Sequence, residues 1–443
     1  MSEAIPAAPS RPRRRGRVRE GLSGLTLRGR AFLAAGVTAV TCAVVLGQPA
    51  LARVGVLVMV LPLATVLLLV RARYDLALVR SIGPRVVTAG STATITLDLR
   101  NEGRPPRGVL LLEDHLPFAL GSRPRFVVDD VGARWQRAVS YTVRPEVRGR
   151  YEIGPLTVRV GDGFGLVELG RAFRTTTPLV VTPRVLTLPE IGLTGAWSGS
   201  GEHRARAFAT GSAEDVTVRE YRRGDDLRRV HWRSSARAGE LMVRREEQPW
   251  QALATVLLDD RLLAHRGEGL AGSFETAVVA AASVADHLLA HGYQLVLRTT
   301  SGRTAAGRAG REDAGHRQLL LEWLAELAPQ PGARIAAGAE IGERPRGLTV
   351  AVLGGLLPDD DAALRWWRHQ SDSALALVLD VEQWHRPAPG YEPGPGAEQW
   401  SRRLTGQGWR AGALGQRDPL ATAWQRLGRP SHVVGGPAPE PVR

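Results

Sequence analysis

The chain runs to 443 residues, enough for two or three domains that each bury a core. Its 44% apolar content excludes a disordered protein, and a lone cysteine, Cys42, excludes a disulfide framework or a multi-cysteine metal centre. A net charge of +14 points toward nucleic acid, but residues 1–30 supply +6 of it and all 58 basic residues are arginine, a compositional bias that makes a nucleic-acid partner unlikely.

Residues 1–30 form a basic tail, expected in the cytoplasm. Two apolar runs of 17 residues follow, Ala31–Gly47 and Val54–Val70, joined by "QPALAR". Each reaches the short end of a membrane-spanning helix, and unpaired amides are excluded from lipid, so 31–73 is expected to be a two-helix transmembrane hairpin. Arg28 and Arg30 precede the first run and Arg71 and Arg73 follow the second, while the loop holds only Arg53. That asymmetry predicts an inner (cytoplasmic) membrane protein with both ends and its soluble domains facing the cytosol. The competing reading is a cleaved signal peptide, for which "ALA" at 50–52 resembles a cleavage site. Pro62 interrupts the second run without implying a function.

Residues 74–185 have period two. In "STATITLDLRN", Ala93, Ile95, Leu97 and Leu99 point one way and Thr92, Thr94, Thr96 and Asp98 the other. Similar runs recur in "GVLLLE", "RAVSYTVRP" and "PLTVRVGD", separated by Gly, Pro and Asn, which predicts an all-β immunoglobulin-like sandwich. It shows no cluster of His, Cys or carboxylates and reads as a spacer or interaction module.

Residues 186–250 are a linker and an arginine-rich motif, and 251–430 alternate strand and helix patterns. "ALATVLLDD" is a buried strand; "SFETAVVAAASVADHLLAHG" is a helix with Ser273 as N-cap and a stripe of Phe274, Val278, Ala281, Ala285 and Leu288. Strands "YQLVLRTT", "GLTVAVLGG" and "SALALVLDV" alternate with helices "HRQLLLEWLAEL" and "DDDAALRWWRHQ", and two further helical stretches lie near 397–405 and 417–427. This predicts an α/β domain with a mostly parallel sheet; residues 431–443 are expected to be a disordered tail. Asp259, Asp260 and Asp380 sit at strand ends, where such sheets bind ligands. A divalent cation needs several hard ligands, whereas Arg261, Leu262 and Leu263 follow the first pair, so a residual metal site at Asp259/Asp260 stays open and none is assigned.

The motif "VREYRRGDDLRRVHWRSSARAGELMVRREEQ" spans 218–248 with nine arginines and six acids. Gly224 supplies a turn, Asp225 or Asp226 caps a short helix, Leu227 and Val230 face inward, Gly239 turns again, and "LMVRR" is a strand leading beside "ATVLLDD". Three readings compete. His231 with Asp225 or Asp226 is a conceivable acid–base pair beside Ser234 or Ser235, but no nucleophile elbow frames those serines. The arginines are a conceivable polyanion grip, weakened by the interleaved acids. The third reading is an ion-pair network that shapes a docking surface.

These residues resemble the signature of the domain of unknown function 58 family: Arg219, Glu220, Tyr221, Gly224, Asp225, Arg228, Trp232, Ser235, Ala236 and Arg237, followed by "GELMVR". The upstream "RGRYEIGPLTVRVGDGFGLVE" is similar to its lead-in, with Gly163 where proline is common, and the whole resembles an actinobacterial-type membrane member. The resemblance implies a von Willebrand factor A-like (Rossmann-like) C-terminal domain and a MoxR-type AAA+ ATPase as partner. The A-type metal pattern Asp-x-Ser-x-Ser is replaced here by "DDRLL", and no catalytic residue carries over. The expectation is a membrane-anchored, non-enzymatic scaffold or adaptor in protein assembly or maturation, with no cofactor, whose partner face is Arg219, Glu220, Tyr221, Gly224, Asp225, Asp226, Arg228, His231, Trp232, Ser235, Ala236 and Arg237. The alternatives are a hydrolase using His231 and Asp225/Asp226, or a protein binding anionic lipid or nucleic acid.

Overall fold

A computed structural model describes residues 24–71, 76–101, 109–128, 135–162, 164–192, 218–221, 230, 232–244, 253–306, 313–332, 334–341, 347–384 and 394–428. The chain divides into two compact units, Met1–Arg184 with Leu324–Leu327, and Val185–Trp323 with Ala328–Arg443. Each is taken by itself.

In the first unit α1 (Leu27–Leu46) and α2 (Pro49–Arg71) are long and apolar enough to cross a membrane. At 1.5 Å per residue, α1 spans about 30 Å, the thickness of a hydrocarbon core. Both helices start earlier than the apolar runs indicate. Thr26 caps α1 by accepting the Gly29 amide at 3.2 Å, and most of the expected loop "QPALAR" is helical because Pro49 takes the first helical position, where its missing N–H is no loss. The turn is reduced to Gly47, left-handed at φ 64°, and Gln48. The helices meet at small residues: a Cβ on Gly36 would lie 2.9 Å from the Gly55 carbonyl oxygen and the Met59 amide nitrogen. Thr38, Thr41 and Thr65 turn their hydroxyls back to carbonyls one turn earlier, which satisfies these donors within an apolar segment.

Among the described residues ten strands follow: β1 (Leu76–Gly83), β2 (Val86–Thr88), β3 (Ala93–Asn101), β4 (Val109–Asp114), β5 (Arg125–Val128), β6 (Trp135–Val143), β7 (Gly149–Ile153), β8 (Leu156–Gly161), β9 (Glu168–Phe173) and β10 (Thr177–Thr182). They form sheets β1-β3-β6, β2-β10-β7 and β5-β4-β8-β9 around one apolar cluster. The alternation in β3 places Ala93, Ile95, Leu97 and Leu99 in that cluster, fully buried. A polar network crosses the core unforeseen: Arg80 of β1 donates to Asp114 of β4 at 2.6 Å, and Tyr141 of β6 donates to the other Asp114 oxygen at 2.6 Å. Burial, with the Asp114 bond, pushes the Tyr141 phenol up from its ordinary value.

The second unit holds β11 (Val218–Glu220), α3 (Trp232–Ala238), β12 (Met242–Arg244), β13 (Leu253–Leu258), α4 (Ser273–Ala290), β14 (Gln294–Thr299), β15 (Thr304–Ala306), α5 (Asp313–Ala325), β16 (Leu348–Leu353), α6 (Asp360–Gln370), β17 (Ser373–Leu379), α7 (Ala397–Gly406), β18 (Arg410–Leu414) and α8 (Leu420–Gly428). The main sheet has the order β15-β14-β13-β16-β17-β18, parallel throughout except for antiparallel β15. Strand order reverses between β13 and β16, the place where doubly wound sheets open a crevice. β13, β16 and β17 are buried along nearly their whole length because helices cover the sheet, which is why they read as unbroken apolar runs. Trp367, Trp400, Trp409 and Trp424 fill the space between helices and sheet.

Three local expectations are corrected and one holds. β12 pairs with β11 in a separate two-stranded sheet and does not lie beside β13. The turn falls at Gly239 as expected, left-handed at φ 76°, and the residues before it, Trp232–Ala238, form a short helix. Ser273 is the first helical residue of α4, with Gly272 as N-cap, because its hydroxyl is engaged elsewhere. The strands β15 and β18 were not anticipated at all.

Candidate functional site

Of the motif residues, Gly224, Asp225, Asp226, Arg228 and His231, with Leu227, lie outside the described residues. Arg219 and Glu220 are on β11, and Tyr221 follows it, its amide donating to the Leu241 carbonyl at 2.8 Å. Val230 faces inward as expected, buried and bridged to Val243. Ser235 pins α3 to β12 by accepting the Met242 amide at 2.8 Å. Its hydroxyl therefore serves the local fold. Trp232, 70% exposed, opens α3, and Arg233, Ala236 and Arg237 are exposed on the same helix, which buries no residue. An indole left in water at the head of an arginine-bearing helix is a surface of the kind that partners use.

The second constellation lies at the carboxyl edge of the main sheet, where β13 runs into Asp259, Asp260 and Arg261. All three side chains are buried. The Arg261 guanidinium grips Asp259 with two parallel bonds, Nε to Oδ1 at 2.9 Å and Nη2 to Oδ2 at 2.8 Å, and reaches Asp360 Oδ1 through Nη1 at 2.8 Å. Asp259 also accepts from the Thr300 hydroxyl at 2.9 Å and the Gly354 amide at 3.2 Å. Asp260 accepts from the Ser301 amide at 2.9 Å and the Ser301 hydroxyl at 2.6 Å. Asp360, in the first turn of α6, accepts the Leu357 amide at 2.8 Å.

Burial pushes the Asp259 carboxyl up, but the bonds and charge of Arg261 outweigh it and hold the group below the ordinary carboxylate value. At Asp360 burial prevails over the Leu357 bond and the Arg261 charge, and its pKa is raised. Burial lowers that of His265, with Asp259 opposing only in part, so this ring favours its neutral form. Its bonds set the tautomer: Nε2 donates to the Asp259 carbonyl at 2.8 Å, and Nδ1, 3.1 Å from Ser273 Oγ, accepts. Ser273 Oγ in turn accepts the Arg266 amide at 2.9 Å. Although a Ser–His contact is present, Ser273 is fully buried at the start of α4 and has no face for a substrate.

These bonds decide the metal question posed by strand-end aspartates. Both oxygens of Asp259 are held by a guanidinium, and those of Asp260 by Ser301, so the acids are already occupied by internal partners and do not fit a divalent cation. Among the described residues no group of His, Cys, Asp or Glu has a metal-holding arrangement. Above the cluster a cavity of about 250 Å³ opens at the ends of β13, β16 and β17, lined among others by Arg261, Arg266, Gly354, Gly355, Asp380 and Trp400. Gly354 permits the close approach of backbone there: a Cβ would lie 2.2 Å from the Ala264 carbonyl oxygen. Asp380, the third strand-end acid, accepts from Gln383 at 2.8 Å and lines the same cavity as Arg261.

Reading the sequence found the acids and missed what they hold. Arg261 was dismissed for failing to coordinate a metal, although it is the cation of the site. Thr300, Ser301, His265 and Asp360 were missed; the only available signal was the triple-acid run at 359–361 opening a helix.

The family described as "Protein of unknown function DUF58" matches residues 217–383. The "Uncharacterized protein YeaD" of Bacillus subtilis (strain 168) is 27% identical over 220 residues, covering 46% of this chain and 50% of its own length. The chain thus spans about half the length of this curated relative. Among solved structures, a CARDB domain from Pyrococcus furiosus shares 18% identity over 25% of this chain and 96% of its own, at a TM-score of 0.18. The alkylpurine DNA glycosylase AlkC of Pseudomonas fluorescens shares 12% over 28% of this chain and 36% of its own, at 0.18. Scores this low carry no argument about either fold or function.

Proposed function

We propose, from the premise that residues 217–383 match the DUF58 family, that this chain is a membrane-anchored, non-enzymatic scaffold or adaptor. In this reading its motif face docks a MoxR-type AAA+ ATPase or the client of one. The observation that carries it is the contrast between two surfaces of the second unit. The acids at the sheet edge are spent on internal partners, whereas α3 offers Trp232, Arg233 and Arg237 to solvent and buries none of its own residues.

Three finer assignments belong to the same reading. The strand order with one antiparallel edge supports an A-like domain. The antiparallel pairs around one core support an immunoglobulin-like sandwich. The arginines flanking the two helices support insertion with the soluble units in the cytosol.

The test is co-purification from detergent with a MoxR-type ATPase. Trp232→Ala with Arg237→Ala is expected to reduce capture at least tenfold while unfolding is unchanged, since both side chains are exposed. Equal capture by wild type and the double variant rejects docking through α3, and absence of capture by wild type rejects the partner.

A further inference from the structure

The start of α1 is bonded directly to the β region. Glu168 donates its amide to the Gly24 carbonyl at 2.8 Å, Leu25 bridges to Val167, and the Thr26 amide donates to the Leu166 carbonyl at 3.0 Å. The Thr26 hydroxyl donates to the Gly165 carbonyl at 2.7 Å. Gly29, in the first turn of α1, lets the backbones touch: a Cβ there would lie 2.3 Å from the Leu166 carbonyl oxygen. Leu25 and Val66 also join the apolar cluster of the β region. The turn between β8 and β9 is therefore fastened to α1 at the level where that helix begins.

This turn carries an aromatic side chain outward. Asp162 orders it, accepting the Phe164 amide at 3.1 Å through Oδ2 and the Val167 amide at 2.7 Å through Oδ1, and Gly165 takes φ 68°. Phe164 itself is 69% exposed. Leu27, on the first turn of α1, is also exposed, and Arg28 reaches toward Gly165. An exposed ring on a turn that an arginine reaches, at the level where an apolar helix starts, matches the chemistry of the headgroup layer, where aromatic and aliphatic residues bury among acyl chains and arginines meet phosphates.

We propose that Phe164 seats in the interfacial layer of the bilayer beside α1, so that the end of the β region carrying the β8–β9 turn lies on the membrane surface. The lipid surface is the occupant because the tip is bonded to the helix that enters it. The same sheet supplies an internal contrast. Phe118, 99% exposed, follows β4 past the opposite end, since Val109 pairs with Gly161 and Asp114 with Leu156. At about 3.4 Å per residue that end lies roughly 17 Å away.

The proposal rests on the reading of α1 and α2 as membrane spans, and the experiment separates the two. Full-length protein in a Cys42→Ser background carries one nitroxide, at Val37→Cys in mid-span, Phe164→Cys or Phe118→Cys, in phosphatidylcholine vesicles with and without phosphatidylglycerol. All three side chains are exposed, so folding is not at stake. Collisions with oxygen and with a nickel chelate report depth. Oxygen is expected to dominate at 37, oxygen to exceed nickel at 164 to a lesser degree, and nickel to dominate at 118. Nickel dominating at 164 as it does at 118, with 37 still deep, overturns the interfacial seat and leaves the spans standing. Nickel dominating at 37 overturns both.

Discussion

Replacing Arg261 by methionine keeps most of the side-chain volume and removes the only cation bonded to Asp259 and Asp360 in the described site. The three side chains are 2%, 0% and 3% exposed, so water does little to screen the loss. Breaking a buried pair by deleting one partner costs about 3–5 kcal/mol, because a charge stays buried without its counterion. Asp259 keeps its bonds from Thr300 and Gly354, and Asp360 keeps that from Leu357, which sets the expectation near the lower figure, about 3 kcal/mol. Arg261→Lys is expected to lose less but still measurably, since an ammonium lacks the planar fork that meets two carboxylates at once. Urea unfolding of the full chain in detergent, followed by tryptophan fluorescence, reads this unit well because Trp367, Trp400, Trp409 and Trp424 are buried in it. A loss below about 1 kcal/mol for Arg261→Met, the range of an exposed ion pair, refutes the claim that the guanidinium is the structural cation of the sheet edge.

Two further outcomes follow from other parts of the chain. His265 has its folded pKa lowered by burial, so the unfolded state binds the extra proton; the stability it contributes is full above about pH 6.5 and is lost as pH falls toward the folded value. His265→Asn is expected to flatten that slope, and an unchanged slope in urea titrations between pH 7 and 5 refutes it. In the hairpin, Gly36→Leu is expected to lower the thermal midpoint in detergent by a few degrees, because the side chain meets backbone of α2, whereas Val45→Leu, on an exposed face, leaves it unchanged; equal midpoints contradict the close crossing.

How much of this was legible depends on range. The apolar runs announced the two helices and the buried strands, since both signals are local. The helix starts were misjudged because Pro49 and the turn at Gly47 outweigh Arg53 in a segment that hydropathy alone treats as loop. β18 escaped notice because four of its five residues are only half-buried and two small alanines flank a glycine, so no alternation marks it. The sheet-edge site was half visible. Asp259 and Asp260 stand at a strand end, but Thr300 is 41 residues from Asp259 and Asp360 is 99 from Arg261, distances at which no spacing rule operates. Metal logic also misled. A guanidinium between carboxylates was read as a failure to coordinate, when it does the charge-neutralising work itself. Within the arginine motif, Val230 and Ser235 show local architecture, while Asp225, Asp226 and His231 fall outside the described residues.

The turn at Gly47 and Gln48 has a bearing on access. Two helices that cross a bilayer and are joined by so little chain return to the side they left, whichever side that is. The far compartment then sees only the apex of a loop, with no room for a receptor, a protease cut or an epitope. For a hairpin so inserted, a ligand of the β region approaches from the side on which α1 begins.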